Sequence, residues 1–279
     1  MPPILTSLIV LGVIGLVAGV LLYVAAKKFH VYEDPRIGEV EELLPGANCG
    51  GCGLTGCHAF AVQAATADTL EGLNCTGVDE AGMGRIAEIV GLKAAPARKR
   101  KAVIKCSLSC DVRDPRNVYD GIRSCTVEAS LYQGESDCVY GCLGCGDCVR
   151  ACPFDAMSIK PGDSLPTVDL SKCVGCGKCV AACPRHLVEL YDYDPARPMV
   201  WVACSNRDRG PIAMKECTVA CIGCGICKKK CTHDAITITS FLAHIDSSKC
   251  VGCGECIEPC PRHSIATNQR KRTATVQAD

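Results

Sequence analysis

Eight cysteines between Cys142 and Cys183 repeat one spacing: Cys142, Cys145, Cys148 and Cys152, then Cys173, Cys176, Cys179 and Cys183. Three thiolates at CxxCxxC spacing can wrap one cuboidal [4Fe–4S] cluster, while the fourth, followed by Pro153 or Pro184, reaches its neighbour. The expected ligand sets are therefore interleaved: Cys142, Cys145 and Cys148 with Cys183, and Cys173, Cys176 and Cys179 with Cys152. Thiolates are the soft ligands that such clusters require. Structural or zinc-binding thiols are the alternative, but zinc closes its shell with four ligands and has no need of an interleaved octet.

The array is written twice. Cys142, Cys145, Cys148 and Cys152 recur 79 residues later as Cys221, Cys224, Cys227 and Cys231, and SKCVGCGKCVAACPRH (171–186) recurs 77 residues later as SKCVGCGECIEPCPRH (248–263). The repeat places Cys221, Cys224 and Cys227 with Cys260, and Cys250, Cys253 and Cys256 with Cys231. Thr232 stands where Pro153 stands in the first copy, a change that removes no ligand but bears on the local turn. His186 and His263 both follow a CPR sequence and read as repeat positions able to tune a cluster by hydrogen bonding, not as ligands.

Upstream, Cys49, Cys52, Cys57 and Cys75 fall within 27 residues among Gly50, Gly51, Gly53 and Gly56. Glycine lets backbone amides approach cluster sulfurs closely, so these four are candidate ligands of a fifth cluster, with a zinc site as the alternative. Six cysteines remain. Cys125 and Cys138 map onto Cys204 and Cys217 under the 79-residue shift, and Cys106 and Cys110 occur only in the first copy. Cys106, Cys110, Cys125 and Cys138 thus leave room for a sixth cluster or a zinc ion, whereas the two thiols of the second copy cannot close a site alone. The alternative is buried thiols packing as small apolar residues.

The elements that must carry these ligands follow from the rest of the chain. Ile4 to Ala26 contains no charged residue, and a helix of that length, at about 1.5 Å per residue, crosses the roughly 30 Å hydrocarbon core. A secretory signal would carry its charge before the apolar run, but Lys27 and Lys28 come after it. By the positive-inside tendency the chain from Lys27 onward is cytoplasmic, which suits 26 cysteines grouped in motifs rather than scattered as a disulfide framework. Gly15 and Gly19 form a GxxxG pair that would admit a neighbouring helix. Apolar spacing predicts helices over 58–70 and 81–90, and the runs at 156–159 and 235–238 predict short strands after the helical motifs.

The expected class is α+β: an anchor helix (1–28), a small helical iron–sulfur domain (29–92), a basic linker (93–105), two 2[4Fe–4S] modules (106–190 and 191–267) and a tail (268–279). With aromatic residues at 4 %, such small modules depend on their inorganic contents for stability. The formal charge is zero, from 30 basic and 30 acidic residues, which gives no sign of a nucleic-acid partner. No dinucleotide fingerprint, phosphate loop or nucleophile–base arrangement is present.

Taken together, the N-terminal span, LPGANCGGCGLTGC (44–57) with the distant Cys75, YGCLGCGDCVRACPFDAM (140–157) and the second array resemble the B subunit of the Rnf complex across nearly the whole chain. The modules themselves resemble small two-cluster ferredoxins. The resemblance implies a membrane-bound ferredoxin:NAD oxidoreductase that couples electron flow to sodium or proton translocation, in which this subunit accepts electrons from soluble ferredoxin and relays them to other subunits. The single apolar run predicts a single pass through the inner membrane, and the 20 assigned cysteines, at four per cluster, predict five [4Fe–4S] clusters. The second array extends beyond what the family requires. An iron–sulfur subunit of another membrane oxidoreductase, such as a hydrogenase or dehydrogenase, is the alternative, with the Cys49–Cys75 domain beside the span as the feature against it.

Overall fold

A computed structural model describes residues 3–29, 34–94, 99–107, 119–131 and 133–268. Helix α1 (Pro3–Lys28) is the apolar segment. Within it Val10–Lys28 is long and apolar enough to cross a membrane, and none of that stretch is buried against the rest of the chain.

Three short helices follow: α2 (Pro35–Glu42), α3 (Cys57–Thr66) and α4 (Glu80–Val90). Their starts are set locally. The Asp34 carboxylate accepts from the Arg36 amide with Pro35 opening the helix, and the Asp79 carboxylate accepts from the Gly82 amide at 2.8 Å. Apolar residues three and four apart face inward: Ile37 and Val40 on α2, Phe60, Ala61 and Ala64 on α3, and Met83, Ile86, Ala87 and Val90 on α4. The sequence predicts that the second of these helices runs to Leu70, yet α3 stops at Thr66 because Ala67 turns extended. Leu70, 1 % exposed, enters the same core from the following turn.

The rest of the chain is two copies of one plan. In the first, β1 (Arg100–Ile104) pairs antiparallel with β4 (Val188–Asp192), and β2 (Met157–Ile159) with β3 (Pro166–Val168). Helices α5 (Cys125–Leu131), α6 (Asp147–Arg150) and α7 (Lys178–Ala182) lie between. In the second, β5 (Val200–Val202) pairs with β8 (Ile265–Thr267) and β6 (Ile236–Thr239) with β7 (Leu242–Ile245), with α8 (Gly210–Glu216) and α9 (Ile226–Lys230). Strand β1 falls inside the stretch expected as a basic linker. Ala102, Val103 and Ile104 are buried there and provide the apolar run that the surrounding lysines and arginines obscure.

The copies are fastened along β1, β4 and β5. The Trp201 indole N–H donates to the Ile104 carbonyl at 3.1 Å, and Glu189 on β4 takes both His244 (3.1 Å) and Lys105 (3.1 Å). A small core of Val103, Tyr191 and Met199 lies under this seam. Close backbone approach recurs in both halves: a Cβ on Gly175 would stand 2.2 Å from the Arg100 carbonyl oxygen, and one on Gly252 2.3 Å from that of Pro198.

Candidate metal centres

Two of the expected interleaved sets each line a small cavity of their own. Cys221, Cys224, Cys227 and Cys260 line one in the second copy, and Cys231, Cys250, Cys253 and Cys256 line the next. In the first copy Cys142, Cys148 and Cys183 line the corresponding space together with Cys125. Cys145 is turned aside there: its thiol donates to the Glu128 carboxylate at 2.9 Å, and Glu128 is itself 1 % exposed. The remaining set is held close, since Cys173, Cys176, Cys148 and Cys152 all act on Cys179. Upstream, Cys52, Cys49 and Cys57 surround Cys75.

Local geometry explains how the ligand-bearing loops hold their shape. After each fourth cysteine the chain passes through a left-handed residue: Asp155 (φ 48°), His186 (52°), Asp234 (49°) and His263 (48°). The turn aims a backbone N–H back at the thiol, Ala156 to Cys152 at 3.4 Å and Leu187 to Cys183 at 3.3 Å. Thr232 in place of proline leaves this turn intact, because Asp234 keeps the conformation of Asp155. His186 and His263 serve as the left-handed residues of their turns. Strand β1 adds a donor as well, from the Ala102 amide to Cys173 Sγ at 3.5 Å. In the upstream loop, Asn48 Oδ1 accepts from the Cys57 amide at 2.7 Å and so caps α3 from outside the helix.

The electrostatics fit cluster ligation. Burial pushes the thiols up, to about 11 for Cys148 and Cys227 and about 12 for Cys179 and Cys256, and the neighbouring sulfurs push the same way. Thiolates crowded in this manner call for shared positive charge, which the iron of a cluster supplies. Among the described residues no group of three or more His, Cys, Asp or Glu is placed to hold a single metal ion. A tetrahedral zinc site, with Zn–S near 2.3 Å, would need its sulfurs about 3.8 Å apart. The dicluster sets offer instead three thiols at CxxCxxC spacing with a distant fourth, the donor pattern of a [4Fe–4S] cluster.

The leftover cysteines fall differently from expectation. Cys110 lies outside the described residues. Cys125 stands beside Cys142, Cys145 and Cys148 instead of joining Cys106 and Cys138. Cys106 and Cys138 line a separate cavity with Cys204 and Cys217, a grouping that the 79-residue shift does not reveal.

Comparison with known proteins finds iron–sulfur domains over the segments that carry these cysteines. A 4Fe-4S dicluster domain profile matches residues 141–187 and 220–265, another of the same description matches 172–235, and a putative Fe-S cluster profile matches 44–68. The B component of the Na(+)-translocating ferredoxin:NAD(+) oxidoreductase complex of Acetobacterium woodii is 44 % identical over 263 residues, 92 % of this chain and 76 % of that protein. The chain belongs to the B-subunit family of Rnf-type ion-translocating oxidoreductase complexes. Two further relatives are each 36 % identical. The B component of the ion-translocating oxidoreductase complex of Methanosarcina acetivorans aligns over 94 % of this chain and 97 % of its own length. Its counterpart in the proton-translocating ferredoxin:NAD(+) oxidoreductase complex of Clostridium ljungdahlii aligns over 89 % and 86 %. With tandem dicluster domains, this Rnf family member is an iron–sulfur electron-transfer subunit, and its apolar α1 accords with a membrane location.

Proposed function

We propose that this subunit is a membrane-held electron wire that accepts electrons from reduced ferredoxin at its dicluster modules and delivers them beside the membrane, through the Cys49, Cys52, Cys57 and Cys75 site. The other assigned sets are Cys142, Cys145, Cys148 with Cys183; Cys173, Cys176, Cys179 with Cys152; Cys221, Cys224, Cys227 with Cys260; and Cys250, Cys253, Cys256 with Cys231. A [4Fe–4S] cluster bound at each supplies a site that takes up and releases one electron. The chain's own work is to hold the sites in sequence and direct amide dipoles at the sulfurs.

The observation that carries the reading is the contact between the upstream loop and the first module. Cys49 lies near enough to Cys176 to act on its thiol, and Gly51 packs on the Cys176 backbone. Cys148 acts in turn on Cys179, and Cys227 on Cys256. Neighbouring sets therefore adjoin within each module and across the step toward the anchor.

NAD reduction belongs to a partner in the complex, since the sequence carries no nucleotide loop. Lys27 and Lys28 at the end of α1 favour a cytoplasmic position for the cluster domains, with α1 as a single pass through the inner membrane. Mixing anaerobically purified, cluster-loaded chain with reduced ferredoxin tests the reading: the cluster absorbance should bleach on a millisecond-to-second scale. A chain that stays oxidised would remove ferredoxin as donor.

A further inference from the structure

Cys106, Cys138, Cys204 and Cys217 line one cavity of about 140 Å³ between the two modules, and all four stand outside the dicluster sets. They are related in pairs. In the first copy β1 ends at Ile104 opposite Val188, and the Lys105 amide donates to the Leu187 carbonyl at 2.7 Å; in the second, β5 ends at Val202 opposite Ile265, and the Ala203 amide donates to the Ser264 carbonyl at 2.7 Å. Cys106 and Cys204 follow at the same step beyond these strands and are structural equivalents. Cys138 and Cys217 are equivalents under the 79-residue repeat.

Hydrogen bonds exchanged across the seam mark the local two-fold relation. Ser107 Oγ donates to the Ala203 carbonyl and Ser205 Oγ to the Lys105 carbonyl, each at 3.1 Å. Each half thus contributes two thiols to the shared space.

The sulfurs also have the amide donors that cluster thiolates require. Cys204 Sγ accepts from the backbone amides of Asn206 (3.4 Å) and Cys221 (3.3 Å). The Asn206 side-chain amide donates to Cys138 Sγ at 3.5 Å, so one residue, itself 1 % exposed, serves a sulfur from each half. A space of about 140 Å³ has room for a multi-iron core, whereas a lone zinc ion would draw its four sulfurs to about 3.8 Å separation.

We infer that Cys106, Cys138, Cys204 and Cys217 bind a sixth [4Fe–4S] cluster, shared between the two modules. The inference rests on reading the dicluster sets as cluster sites, and it joins them. Cys106 acts on Cys142 at one side of the cavity, and Cys221 acts on Cys204 at the other. The shared site lies between the Cys142 and Cys221 sets, so an electron can pass from the second module to the first. The passage is a one-electron exchange in which one cluster is oxidised as its neighbour is reduced, and no atom changes place.

Iron and zinc analysis of anaerobically purified full-length chain, beside Cys138→Ala, tests this. The wild type should hold about 24 iron atoms and no zinc, and Cys138→Ala about 20, with the remaining [4Fe–4S] paramagnetic signals kept. A thiol that merely packs would tolerate alanine with its iron unchanged. About 20 iron atoms in the wild type, with or without one zinc, overturns the sixth cluster while leaving the other five standing. A wild-type content far below 20 overturns the dicluster reading itself. If Cys138→Ala fails to fold, the wild-type count alone decides.

Discussion

Gly51 stands directly on the backbone of Cys176: a methyl group at its Cα would lie 2.8 Å from the Cys176 Cα and 2.7 Å from the Thr76 hydroxyl. The helical domain and the first module therefore meet at a point where only glycine fits. Gly51→Ala must push two loops apart, at a cost of about 1–3 kcal/mol in overpacking. Urea unfolding of the cluster-loaded protein, followed through cluster absorbance, should show the midpoint of the N-terminal domain falling while total iron is retained. An unmoved midpoint would mean that the two loops do not press together.

Much of this arrangement is legible in the cysteine spacing, because inorganic geometry imposes it. The repeat and the short strands after each motif follow from local pattern. The strand β1 does not, since Ala102, Val103 and Ile104 sit among Lys99, Arg100, Lys101 and Lys105, and their pairing with β4 is a long-range contact. The Cys106–Cys204 correspondence is hidden for another reason. Thirty-two positions separate Cys106 from Cys138, but thirteen separate Cys204 from Cys217, so a fixed shift aligns Cys204 with Cys125. The recurring Cys-Ser at 106–107 and 204–205, each after a buried strand, is the signal that reveals it.

Interleaved ligation makes a reciprocal prediction. Cys152→Ser should damage the cluster of Cys173, Cys176 and Cys179 and spare that of Cys142, Cys145 and Cys148, and Cys183→Ser should do the reverse, each with a loss of up to about four iron atoms. Paramagnetic resonance of the reduced variants distinguishes the two sites. The same cluster lost in both variants would contradict the crossing of ligands.

The charge order at the end of α1 predicts topology. With Lys27 and Lys28 following the apolar run, the cluster domains are expected to face the cytoplasm. Protease added to sealed, right-side-out cells should leave them whole. Their digestion without lysis would reverse the orientation.

The direction of flow is tested most directly at the site nearest the anchor. Cys57, buried at the start of α3, belongs to the set assigned to electron exit. In Cys57→Ser, stopped-flow mixing with reduced ferredoxin should still reduce the clusters of the two modules, while ferredoxin-dependent NAD reduction by membranes carrying the variant complex should be lost. Normal NAD reduction by a folded, assembled Cys57→Ser complex would contradict the account, because the site beside the membrane would then lie off the path.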